Sequence, residues 1–336
     1  MPRHRRTEWY ALRGEAESAL QKDGLFPFSA SIVGKVVRME RGLNHENYLF
    51  WIQADSPLPY PEDTAYILRK IATDTPETSH EEAVARLRNE AMTLQALAMQ
   101  DIVFSVPRFV CFIGDPEETP SGFIETALPG GSIEHFKKNA DSRPLLIETV
   151  ARIAATIHHL PIESFRFLPT HAASRDHVLA SLDAFSPDFL AQDPDAPAVD
   201  WVRDHLPEDR PATLLHGDLL PQNILWDLET DGHGVVDWEY AMIGDPAYDL
   251  AIVTRGHGKP LGCPDGLQRL VDGYCRAGGI PITPIDVINH ELLMVLGWLE
   301  QSIETERKRR HEGHPPKHWR DQIRAILRRA ERLRKV

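Results

Sequence analysis

Asp218, Asn223 and Asp237 are the residues whose types and spacing point most directly to chemistry. The stretch Leu214-Leu215-His216-Gly217-Asp218-Leu219-Leu220-Pro221-Gln222-Asn223 places an amide five positions after an acid, in a loop that leads into the apolar run Ile224-Leu225-Trp226. A turn rich in Asp and Gly follows at 229–234, and a second apolar run, Val235-Val236, ends at Asp237. Two strands joined by such a turn form a hairpin. Its open end is expected to bring Asn223 towards Asp237, with Asp218 just upstream. Converging oxygen ligands suit a hard divalent cation such as Mg²⁺, which bridges phosphate groups. Asp218 is then left to orient a hydroxyl nucleophile, and the chemistry implied is phosphoryl transfer.

The elements that must position these groups can be read from periodicity. Residues 8–22 read as a short amphipathic helix, and strand-like runs follow at 32–39, 48–53 and 65–69. A helix with Ala83, Leu87, Leu94 and Leu97 on one stripe comes next, then strands at 109–113 and 123–126. Glu90 lies on that apolar stripe, where an unpaired acid is costly, so a buried cation is expected beside it. Arg69 and Lys70, on opposite faces at the end of the third strand, are the cations in reach of that position. After Leu128-Pro129-Gly130-Gly131 the chain reads as mainly helical, apart from the loop and hairpin.

Composition limits the function classes. The chain has 336 residues, enough for two domains, and a net charge of −13, which argues against nonspecific nucleic-acid binding. Cys111, Cys263 and Cys275 show no paired spacing, as expected of reduced thiols in a cytoplasmic protein. The basic N-terminus is followed by no signal-peptide core, and the longest apolar run, 292–299, is too short for a bilayer, so no membrane partner is expected. His314 and His318 have helical zinc spacing, but Pro315-Pro316 between them breaks it.

Two blocks resemble the aminoglycoside phosphotransferase family, small-molecule kinases of the protein-kinase-like fold. One is the H-G-D-x-x-x-x-N pattern at His216-Gly217-Asp218 and Asn223. The other runs from Val236-Asp237-Trp238-Glu239 to Gly244-Asp245-Pro246-Ala247-Tyr248-Asp249-Leu250-Ala251. The resemblance implies a two-lobed α+β fold with a small antiparallel-sheet lobe over residues 1–126 and a large, mainly helical catalytic and acceptor-binding lobe over 127–336. It implies ATP or GTP as donor with Mg²⁺, held by Asn223 and Asp237, and Asp218 as the catalytic residue. On the nucleotide side it implies Gly42 against the phosphates, the Arg69–Glu90 pair, and adenine read by backbone near Thr126 and Leu128. His216 is expected to brace the loop, Asp249 to tie the loop to its helix, and Asp245 to cap the helix starting at Pro246.

The acceptor implied is a small-molecule hydroxyl, most directly an aminoglycoside or similar antibiotic. The alternatives are a metabolite alcohol (choline, homoserine, sugar or hydroxy-acid type) and, from another class, a catalytically silent nucleotide-binding protein. A monomer or homodimer is expected. A protein kinase is disfavoured, because Asp237 is followed almost at once by Gly244-Asp245-Pro246, with no room for a long activation segment. Glu300 and Glu304 share one face of a helix expected to begin near Glu291 and are candidate contacts for a cationic acceptor, or else a solvated face pairing with Arg307 and Lys308.

Overall fold

The computed structural model describes residues 3–39, 45–72, 79–115, 119–255, 260–307 and 314–333. The elements run α1 (Arg3–Gln21), β1 (Ser31–Met39), β2 (His45–Gln53), β3 (Ala65–Ile71), α2 (His80–Leu97), β4 (Phe109–Ile113) and β5 (Gly122–Thr126). They continue with β6 (Gly131–Ser132), α3 (Arg143–His158), α4 (Ser174–Asp183), α5 (Pro187–Gln192), α6 (Pro197–Asp204), β7 (Thr213–Leu215), β8 (Ile224–Asp227) and β9 (Gly232–Val235). The last are β10 (Met242–Gly244), α7 (Ala247–Thr254), α8 (Gly266–Arg276), α9 (Pro284–Arg307) and α10 (Pro316–Leu333). The chain forms two compact units, one of residues 1–130 and 227–239, the other of 131–226 and 240–336. Where a single boundary between residues 126 and 127 is expected, the first unit extends to Gly130 and takes back a later segment.

The first unit is built on an antiparallel sheet in the order β1-β2-β3-β5-β4. Strand alternation divides β3 between two environments. Tyr66 and Leu68 enter a core with Leu12, Ala16 and Leu20 of α1 and with Phe50 and Ile124 of the sheet. Arg69, one residue on, is also buried, on the face that meets α2. The start of α2 is set by a capping box: the Ser79 hydroxyl accepts from the Glu82 amide at 3.2 Å, and the Glu82 carboxylate accepts from the Ser79 amide at 3.0 Å. A cap of this kind contributes about 1 kcal/mol. With that start fixed, Val84, Leu87, Ala91 and Leu94 turn inward, and Glu90 turns inward with them. The returning segment is secured at Ser105, whose amide donates to the His233 carbonyl at 2.8 Å and whose carbonyl accepts from the Val235 amide at 2.9 Å.

The second unit is mainly helical. Val150, Ile153, Ala154 and Ile157 of α3, Leu270 and Tyr274 of α8, Leu292, Val295 and Leu299 of α9, and Ile323 and Ala330 of α10 are all buried. Short antiparallel pairs, β7 with β10 and β6 with β8, sit among these helices. Helix α9 starts at Pro284, a full two turns before the expected start near Glu291. Thr283 and Asp286 form its cap, with Asp286 accepting from the Thr283 amide at 2.7 Å and Thr283 Oγ1 accepting from the Asp286 amide at 3.3 Å. The apolar run 292–299 marks the buried middle of this helix and gives no sign of its cap. Among the described residues, no helix is long and apolar enough to cross a membrane.

Candidate functional site

In the first unit the buried Arg69 guanidinium meets two acids. Its Nε lies 3.2 Å from Glu90 Oε2, and its NH2 donates to Asp237 Oδ1 at 2.8 Å. The cation therefore sits on Arg69; Lys70, the alternative, is only half-buried at the next strand position. Burial disfavours the charged guanidinium, but Glu90 and Asp237 outweigh that effect and raise its pKa above the ordinary arginine value. Glu90 also accepts from the Trp238 amide at 3.1 Å, so one carboxylate holds both the strand cation and the backbone beside Asp237.

Negative charge outnumbers positive charge here. Burial pushes the Glu90 carboxyl well up, as do the nearby Glu125, Asp237 and Glu239, against the pull of Arg69. Burial likewise pushes Glu125 up to about 7, with Arg69 opposing and Asp237 adding to the rise. His45, buried on β2, places Nδ1 3.3 Å from Glu239 and 3.4 Å from the Arg69 guanidinium. The Arg69 Nε and Glu90 Oε2 atoms are buried without a well-formed hydrogen bond, their contact being an ion pair only. Asp237 keeps about a third of its side chain exposed, 31%, and has φ +72°, a left-handed backbone that an Asp tolerates better than most residues.

Thr126, expected near adenine, ends β5 buried; its Oγ1 accepts from the Arg108 amide at 2.9 Å, and its own amide donates to the Arg108 carbonyl. Its side chain is thus committed to the sheet edge, while Leu128 is half-buried two residues on. Gly42 lies outside the described residues.

In the second unit Asp218 and Asn223 are brought together. The Asn223 amide donates to the Asp218 carbonyl at 2.9 Å and to Asp218 Oδ2 at 3.0 Å. This spends the Asn223 N–H groups and leaves its amide oxygen as the atom able to face a cation. Gly217 is required here: its φ is +80°, and a Cβ would lie 2.0 Å from the Tyr240 carbonyl oxygen. His216 braces the loop as expected, its Nδ1 accepting from the Asp218 amide at 3.2 Å.

Asp249 carries the loop. Its carboxylate accepts from the His216 amide at 2.8 Å, the Gly217 amide at 2.9 Å and His158 Nε2 at 3.2 Å. Burial works against ionisation, but the His158 hydrogen bond and the His216 amide prevail and hold the carboxyl below its ordinary range. Asp245 is not the capping residue expected, although its carboxylate still serves the start of α7. Its Oδ1 accepts from the Ala247 amide at 3.1 Å, with Pro246 rather than Asp245 in the cap position, and its Oδ2 accepts from His290 Nε2 at 3.1 Å. Against the opposing effect of burial, that histidine bond helps bring its pKa down to about 2.

Sequence reasoning passed over Glu125, His45 and the His158 contact. A buried acid in a run as apolar as Phe123-Ile124-Glu125 was the available signal for the first. His158 gave no separate signal, because its partner stands 91 residues later.

The model of the phosphotransferase enzyme family matches residues 37–286. An aminoglycoside 3'-phosphotransferase of Streptomyces ribosidificus is 31% identical over 198 residues, covering 55% of this chain and 70% of that one. A viomycin phosphotransferase of Streptomyces vinaceus is 30% identical over 214 residues, covering 53% of this chain and 66% of that one. Among solved structures, a thermostable mutant of an aminoglycoside phosphotransferase, in ternary complex with AMP-PNP and hygromycin B, aligns with a TM-score of 0.63 at 16% identity. That alignment covers 95% of this chain and 98% of the other, and it shows the protein-kinase-like α+β fold.

Proposed function

From membership of the phosphotransferase enzyme family, to which this chain belongs, we propose that it transfers the γ-phosphate of ATP or GTP to a hydroxyl of a small molecule, an aminoglycoside or a similar antibiotic. The observation that carries this reading is the meeting of Arg69 with Glu90 and Asp237, residues from a strand, a helix and a motif 168 positions downstream. A catalytically silent fold has no need to bury a cation between two acids and then leave one of the acids partly open.

In this reading Arg69, kept cationic by its acids, holds the α- and β-phosphates. Asp218, fixed by the Asn223 amide, orients the acceptor hydroxyl and takes its proton; positioning matters more here than base strength. Asn223 and Asp237 are the residues that would hold Mg²⁺, and both offer what that ion prefers: a free amide oxygen on one, a partly exposed carboxylate on the other. The excess of acids around Arg69 fits the same ion, since triphosphate would otherwise meet uncompensated negative charge. When bound, the ion neutralises charge on the phosphate oxygens. Backbone groups near Thr126 and Leu128 would read the base, and Gly42 would approach the phosphates.

For the acceptor, the second unit has a groove of about 1010 Å³ between α5 and α9, lined by Asp188, Glu300, Glu304 and Glu306, and by Asp193, which Arg320 neutralises at 2.6 Å. Acids in that number favour a polyamine sugar. Glu300 also accepts from the Ser186 amide at 3.0 Å and from its hydroxyl, which gives it a structural task at the start of α5; Glu304 is exposed. The test is a mass-spectrometric screen of aminoglycosides, peptide antibiotics and metabolite alcohols for products that gain a phosphate, with ATP and with GTP, each with and without Mg²⁺. A metabolite as the only substrate would overturn the antibiotic assignment. Nucleotide binding with no turnover on any acceptor or on water would overturn the enzymatic one.

A further inference from the structure

The Asp249 carboxylate that carries the catalytic loop is itself oriented by a chain of buried groups ending on α8. His158 donates to it from Nε2, and the other ring nitrogen, Nδ1, lies 2.9 Å from the Tyr274 hydroxyl. Tyr274 in turn accepts from the Ile280 amide at 3.2 Å. Its relative exposure is 0%, that of Asp249 is 0% and that of His158 is 3%, so water cannot substitute for any of these partners.

The hydrogen-bond directions follow from the ends of the chain. A backbone amide can only donate, so the Tyr274 oxygen accepts from Ile280 and its own proton needs an acceptor. His158 Nδ1 supplies one. Nε2 must then carry the ring proton, which is the arrangement that lets it donate to an ionised Asp249.

The chain around α8 is shaped to make this contact. Past Arg276 it turns through Gly278 at φ +87°, and the Gly279 amide donates to the Tyr274 carbonyl at 2.9 Å. A Cβ on Gly279 would lie 2.4 Å from the nearest ring atom, so a glycine lets the backbone cross close over the phenol and deliver the Ile280 amide to its oxygen.

We propose that Tyr274 is a positioning residue for the catalytic loop: its hydroxyl sets the tautomer and orientation of His158, and through Asp249 the placement of the His216–Gly217 backbone from which Asp218 projects. This rests on the reading of that loop as catalytic. It concerns a residue outside both sequence blocks and without contact to any reacting atom.

Tyr274→Phe keeps the ring and removes the hydroxyl. The His216 and Gly217 amides of the full-length protein should then exchange with solvent about tenfold faster, as expected when a net hydrogen bond's worth of support is withdrawn. In Mg²⁺ with ATP or GTP, kcat for nucleotide turnover, with water as the acceptor, should fall about tenfold while the nucleotide KM stays the same. His158→Gln can donate to Asp249 with no tautomer to set, so adding Tyr274→Phe to it should have no further effect on exchange at these amides. Unchanged exchange at His216 and Gly217 in Tyr274→Phe overturns the proposal, as does full additivity with His158→Gln. A wild-type protein that turns over no nucleotide would count against the catalytic reading alone, because the exchange measurement decides the positioning role without activity.

Discussion

The charge cluster around Arg69 and the hydrogen-bonded web around Asp249 solve opposite problems. Both bury a carboxylate and a nitrogen-bearing partner. Around Asp249 every group is matched: two backbone amides and a histidine on one carboxylate, both ring nitrogens of that histidine used, and a phenol that both accepts and donates. Around Arg69 the matching is incomplete, with more acids than cations, Arg69 Nε and Glu90 Oε2 lacking good hydrogen-bond geometry, and Glu125 pushed up to about 7. A segment that must hold one geometry is finished by the protein alone. The Arg69 cluster is left with unbalanced charge, as the proposed binding of a polyanion with its cation would need.

If that contrast holds, substitutions in the web should register as stability and those in the cluster as ligand binding and pH dependence. The largest effect expected is for Asp249→Ala, which strands two buried amides and His158. It should cost about 3–5 kcal/mol, read as a lowered midpoint in urea unfolding. A loss within error of zero would break the comparison at its better-matched end.

Asp218→Asn sharpens it from inside the same loop. The Asp218 carboxylate accepts from the Asn223 amide, a bond that the side-chain oxygen of Asn can also accept, so stability should hold while phosphate transfer drops about a hundredfold or more. Nucleotide affinity, measured by calorimetry, should stay close to that of the wild type. Full turnover in this variant removes Asp218 from the chemistry.

Asp237→Ala probes the unmatched end. Mg²⁺-dependent nucleotide affinity should weaken about tenfold, roughly 1.4 kcal/mol, with little change in the unfolding midpoint. The same affinity and the same response to Mg²⁺ removal would take Asp237 out of the metal site.

Glu125→Gln gives the signal most specific to pH. The folded protein keeps a proton on Glu125 up to about pH 7, whereas the unfolded chain releases it near the ordinary value of 4.5. Between those values the folded state binds more protons, so stability falls as pH rises, and the cost is complete above about pH 7. Glutamine mimics the protonated form. Its stabilisation relative to the wild type should therefore be larger at pH 8 than at pH 5, by about 3 kcal/mol at most. An equal offset at both pH values would mean that Glu125 titrates normally and that the cluster carries little excess charge.

Much of this was legible in the sequence, for local reasons. Helical spacing reports that Glu90 points inward, and the family resemblance supplied Arg69 as its partner, a pair that the structure holds at 3.2 Å. The Asp218–Asn223 contact needed only a five-residue loop. Other parts lay out of reach because they depend on long-range closure. No local rule joins His158 to Tyr274 across 116 positions. The start of α9 was missed for a different reason, since apolar periodicity locates the buried middle of a helix and the cap must be sought upstream, at Thr283.

The return of residues 227–239 to the first unit bears on how the chain is made. A ribosome that has delivered only the first 130 residues has produced the sheet and α2 but not the backbone that Ser105 pairs with, the Trp238 amide that Glu90 accepts from, or the Asp237 that meets Arg69. Residues 227–239 must emerge before that unit can close. Its buried charges wait about a hundred residues for their partners, so a gene cut after Gly130 would encode a fragment lacking its own last strand.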